Sequence, residues 1–166
     1  MTTASANRLA GGDGQQRERC GYHVLMGSDP LETLRRVLQS AWSAETSASA
    51  DWTDDNAAKG QCAVTACVVQ DYLGGDILHT TASMPGGKTV SHYINLIDGI
   101  QVDLTAEQFP EYTQFSPPTP KTKSFASTRD YCLSYVHTKQ RYDLLRTRVA
   151  ERLDAVGHRV VHSSTN

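Results

Sequence analysis

Three side chains in one order carry the chemistry of this sequence: Cys62 in Gly60-Gln61-Cys62-Ala63-Val64, His92 in Ser91-His92-Tyr93, and Asp103 in Val102-Asp103-Leu104-Thr105. A thiol attacks as its thiolate, an imidazole beside it takes and returns the proton, and a carboxylate orients the ring and stabilises its charge. Cys62 falls at the start of a predicted helix, where unsatisfied backbone N–H groups and the helix dipole favour a thiolate. Its own backbone N–H is the natural donor to a developing oxyanion, with the Gln61 side chain as a second candidate.

The other candidates read more plainly. Cys67 and Cys132 fit inert packing in apolar helices, and Cys20 sits in a polar tail. His79 and His137 read as satisfied structural or surface groups. His158 and His162 have the i, i+4 spacing of metal ligands but no acidic or thiol companion. Asp71 and Asp76 suit capping or solvation better than acid–base work, and Asp103 alone could cap a turn.

The elements that must position the triad follow from periodicity. Asp29 N-caps a helix with Pro30 at its first position and Glu32 at its third, and Leu31, Leu34, Leu38, Ala41 and Trp42 line its inner face. A second helix spans 61–73 and is apolar round much of its girth. Gly74-Gly75 ends it. A short strand is expected at 76–81, a loop at 84–88, and strands at 90–97 and 100–104 joined by Asp98-Gly99, a strong signal for a two-residue hairpin. Residues 110–125 read as a surface loop, and helices follow at 128–136 and 142–156. The order predicts an α+β domain with an antiparallel sheet packed against helices.

That hairpin makes a geometric prediction. Pairing Ile97 with Ile100 sets Ile94 opposite Asp103 and His92 opposite Thr105. His92 and Asp103 then share a face as diagonal neighbours, roughly 7 Å apart at the backbone. A one-residue slip would separate them.

Bulk properties bound the rest. The 166 residues fit one domain over 22–156, with polar tails at 1–21 and 157–166. Lys and Arg number 16 against 18 Asp and Glu, a net charge of −2, so no basic field for nucleic acid or an acidic membrane is expected. No apolar run approaches the ~18 residues of a membrane span, and the first twenty residues lack a secretory h-region. Four cysteines without zinc spacing suggest reduced thiols in the cytoplasm. No cofactor is expected.

Several longer words carry a resemblance. Ala-Trp-Ser-Ala-Glu-Thr-Ser at 41–47, Gly-Gln-Cys-Ala-Val-Thr-Ala at 60–66 and Val-Val-Gln-Asp-Tyr-Leu-Gly-Gly-Asp-Ile-Leu at 68–78 resemble the YunG family of small bacterial proteins. Ser-His-Tyr-Ile-Asn at 91–95, Asp-Leu-Thr-Ala-Glu-Gln-Phe at 103–109 and Arg-Tyr-Asp-Leu-Leu at 141–145 extend the likeness over about 31–153. Ile94 departs from the aromatic, and Cys67 from the apolar residue, usual at those positions. The layout is also similar to a minimal papain-like or transglutaminase-like core, which implies acyl transfer through a Cys62 acyl-enzyme. The substrate implied is small and amide-, ester- or peptide-like. Two alternatives stay open: a binding or regulatory module on a thiol-enzyme scaffold, and a metal site at Cys62, His92 and Asp103.

Overall fold

The computed structural model describes residues 29–163, with side chains to residue 156; the predicted N-terminal tail, Cys20, and the side chains of His158 and His162 lie outside the described residues. Helix α1 spans Pro30–Ala41, and Asp29 Oδ1 caps it by accepting the Leu31 and Glu32 N–H groups at 3.1 and 3.4 Å. Its buried stripe is Thr33, Leu34, Val37, Leu38 and Ala41. Helix α2 spans Cys62–Leu73 and is buried on nearly all sides from Val64 to Val69, as an apolar helix without a polar face must be.

Four antiparallel strands follow: β1 Asp76–Ser83, β2 Thr89–Ile97, β3 Ile100–Val102 and β4 Gln114–Phe115, in the spatial order β3-β2-β1-β4. The α+β class is therefore as expected, with β4 an addition. Residues 110–125 are not all loop: Gln114 and Phe115 pair with Ser83 and Ala82, and Thr119 bridges His79. Pro117 and Pro118 lie on this sheet edge, where a missing N–H costs no ladder bond.

Helix α3 covers Thr128–Leu133, and α4 runs Val136–Ser163. The last helix thus begins before the predicted residue 142, and its backbone continues through Gly157, where the sequence suggested a tail. Leu145, Val149 and Leu153 are fully buried against α1 and α2. Polar side chains fix the layers. Arg129 of α3 donates to the Cys67 carbonyl at 2.8 Å and to Asp71 at 2.7 Å, and the Tyr142 hydroxyl donates to the other Asp71 oxygen at 2.7 Å. Asp71 is thus a tie between helices rather than a solvated cap. Asn95 donates to the Ala66 carbonyl at 2.9 Å, pinning β2 to α2.

At the far end of α2, Gly75 has φ +77°, and a Cβ there would lie 2.2 Å from the Leu96 carbonyl oxygen. The tight corner from α2 into β1 therefore requires glycine. Among the described residues, no helix is long and apolar enough to cross a membrane.

Candidate active site

The start of α2 is held by the 41–47 word. Trp42 donates its indole N–H to Thr65 Oγ1 at 3.0 Å, and Ser47 Oγ donates to the Lys59 carbonyl at 2.7 Å. The Ala48 N–H reaches the Gly60 carbonyl at 2.9 Å. Gly60 itself has φ +72°, and an added Cβ would approach Ser47 Oγ to 2.5 Å and the Ser49 nitrogen to 2.6 Å. Only glycine lets the chain pass this point and turn into the helix. Cys62 then occupies the first helical position, partly exposed, and its N–H has no acceptor among the described residues, as expected of a first-turn donor.

Gln61 is fully buried and donates its amide to the Ser43 carbonyl at 3.0 Å, while its Oε1 has no hydrogen-bond partner. That bond gives Gln61 a positioning duty, tying the helix start to the end of α1. The backbone N–H of Cys62, at the first helical position, is among the described residues a free donor beside it.

His92 comes from β2 and Asp103 from the residue after β3. The turn has the predicted form, with Asp98 at φ 49° and Gly99 at φ 79°, and Ile97 pairs with Ile100. The ladder stops earlier than expected, at Val102 opposite Asn95. Asp103 itself ends it. Its Oδ1 accepts the Thr105 N–H at 2.9 Å and the Thr105 hydroxyl at 3.2 Å, a local turn that competes with strand pairing. Its Oδ2 accepts from His92 Nε2 at 2.7 Å. Orientation and turn-capping, alternative readings of this residue in the sequence, are divided between its two oxygens.

The His92 ring is 0% exposed. Burial alone would push its pKa down, but the hydrogen bond to Asp103 and then the neighbouring Cys62 reverse this, holding it up at about 9. Nε2 is taken by Asp103, and Nδ1 is buried without a hydrogen-bond partner, so Nδ1 is the nitrogen left for the thiol. The other thiols differ. Cys67 and Cys132 are buried, which raises the pKa of both, that of Cys132 to about 12.

Sequence reasoning missed the residues that lock these segments together. A 3-10 turn at Ala106–Gln108 follows Asp103; there Gln108 Oε1 accepts the Gly60 N–H at 3.3 Å and Gln108 Nε2 donates to the Thr105 carbonyl at 2.9 Å. Phe109 meets the His92 ring edge-on at 4.8 Å between centroids. The 103–109 word was the available signal, since its polar and aromatic positions do not follow strand alternation.

Two clefts lie at the site, one lined by Cys62 and the other by His92 and Asp103. One, of about 510 Å³, opens at Cys62 between the helix start, the 84–88 loop and α4. The other, of about 630 Å³, lies on the His92–Asp103 side and is lined by Phe115 and the two prolines. Phe109 and Pro110 belong to both walls. Away from these three residues, His79 Nε2 lies 3.1 Å from both Ser91 Oγ and Lys121 Nζ, and burial followed by the Lys121 charge lowers its pKa. Among the described residues, no group of three or more His, Cys, Asp or Glu side chains is arranged to hold a metal ion.

An antiparallel sheet with a thiol at a helix start and a His–carboxylate pair on the adjoining hairpin defines a small α+β protein with one candidate thiol site. The family model described as YunG protein matches residues 30–154, so the chain belongs to the YunG family. A protein of Bacillus subtilis (strain 168), described as "Uncharacterized protein YunG", is 29% identical over 122 residues, spanning 73% of this chain and 98% of that protein. No solved structure matches the chain.

Proposed function

We propose that the protein is a cysteine-dependent acyl hydrolase or acyltransferase, with a papain-like or transglutaminase-like division of labour among Cys62, His92 and Asp103. The observation that carries this reading is the buried His92 ring bonded to Asp103 through Nε2 at 2.7 Å; Asp103 and then Cys62 hold its pKa up at about 9 against the effect of burial. An imidazolium of that kind stabilises a thiolate beside it.

Cys62 Sγ attacks the carbonyl of a small amide, ester or thioester, and its backbone N–H faces the developing oxyanion. His92 gives its proton to the leaving amine, alcohol or thiol as the tetrahedral intermediate collapses to the acyl-enzyme. Water or an amine then attacks the thioester, passing a proton to the ring and releasing Cys62.

The test is selective alkylation read by peptide mass spectrometry. Iodoacetamide is expected to label Cys62 at least tenfold faster than Cys67 or Cys132, and His92→Ala should slow that labelling by roughly 10²-fold or more. Intact mass with activated acyl donors should give an adduct on Cys62. A second reading, a non-catalytic binding module, draws support from the complete enclosure of the His92 ring. Equal, slow labelling of all three thiols would favour it.

A further inference from the structure

The cleft at Cys62 has an unusual charge for a protein of net charge −2. Lys59, Lys88 and Arg141 are among its lining residues, and no Asp or Glu is. Lys59 is compensated, since its Nζ lies 2.7 Å from Asp51 outside the cleft. The other two are not. Lys88 and Arg141 form no ion pair among the described residues, and Arg141 donates only to Thr138 Oγ1, at 3.2 Å.

Arg141 is the more telling of the two. Its Nε is buried and has no hydrogen-bond partner, although a guanidinium carries five N–H groups. Burial lowers its pKa, which reports lost hydration without a compensating anion. A buried donor left unpaired is costly, and a ligand oxygen in the cleft is one partner that would complete the guanidinium. A planar fork of donors matches carboxylate and phosphate oxygens two at a time. Lys88, exposed at the end of the 84–88 loop, is a second unpaired cation lining the same cleft.

We infer that the Cys62 cleft takes an anionic substrate, whose carboxylate or phosphate is received by Arg141 with Lys88 while its acyl carbon faces the thiol. This rests on the acyl-transfer reading for the second half of the statement, and on the cleft alone for the first. Arg141 is then the residue that sets specificity, on a different element from the reacting groups.

Two measurements separate these halves. In the first, Cys62 is alkylated with iodoacetate and with iodoacetamide. The anionic reagent should be favoured at Cys62 roughly tenfold over its relative rate with glutathione, the factor that a hydrogen bond to a charged group supplies. Arg141→Gln should remove the preference and Arg141→Lys retain part of it, each read as the iodoacetate-to-iodoacetamide ratio of that variant so that a general change in thiol reactivity cancels. A reagent ratio equal to that of glutathione, or unaltered by Arg141→Gln, overturns the inference. If Cys62 reacts no faster than Cys67 with iodoacetamide, it is the acyl-transfer reading that fails.

In the second, calorimetry follows binding of inorganic phosphate and of succinate to the full chain and to Arg141→Gln. Binding of either that weakens about tenfold in the variant supports the anion site, and the tighter probe identifies the headgroup. No binding by either, or equal binding by both proteins, overturns it.

Discussion

Asp103 divides two jobs between its oxygens, one turning the backbone at Thr105 and one holding the His92 ring. Asn keeps an oxygen for the turn but has no charge to offer the imidazole. In Asp103→Asn, burial should therefore prevail, and the His92 pKa should drop from about 9 by roughly 1–3 pH units. An NMR titration of the imidazole carbons measures it; a midpoint still near 9 would mean that Cys62 alone holds the proton. Residue identity was the most legible level of this site. Cys62, His92 and Asp103 could be picked out by type and order, and the Asp98-Gly99 turn correctly set their shared face. The second role of Asp103 was hidden because a side-chain bond to the backbone two residues on leaves no periodic trace.

At the scale of elements, the site depends on how two loops meet. The helix start at Gly60–Cys62 is gripped from one side by the chain after α1 and from the other by Gln108. Gly60→Ala forces a side chain into φ +72° and against Ser47 and Ser49, at a cost of roughly 1–3 kcal/mol or more. Denaturant unfolding should show that loss, and Cys62 alkylation should fall toward the rates of the buried thiols. Helices α1 and α2 were readable because caps, prolines and 3.6-residue spacing are local signals. The two-residue β4 was not. It exists only because β1 offers it an edge, and its own residues, bounded by Pro110 and Pro117, read as loop. The true start of α4 was equally obscure, since its polar first turns carry no apolar stripe.

For the molecule as a whole, His92 links protonation to stability. Its folded pKa of about 9 exceeds the ordinary value of 6.5, so between these values the native state holds a proton that the unfolded chain has released. The stabilisation is complete below pH 6.5 and is lost as pH rises through 9. It amounts to a little over 3 kcal/mol at most, on the order of 1.4 kcal/mol for each pH unit by which the pKa rises. Urea unfolding of Cys62→Ser, which has no thiolate to offset the proton on the ring, should weaken from pH 6 to pH 9.5, and adding Asp103→Asn should flatten the slope; an equal slope in both proteins would contradict this linkage. The candidate cleft also draws on widely spaced parts of the chain, from Ala48 to Arg141. That separation has a consequence during synthesis. At bacterial translation rates Cys62 leaves the ribosome several seconds before Arg141 is even polymerised. A nascent chain that has already made Cys62, His92 and Asp103 still lacks one wall of the cleft, which is complete only when the last helix arrives.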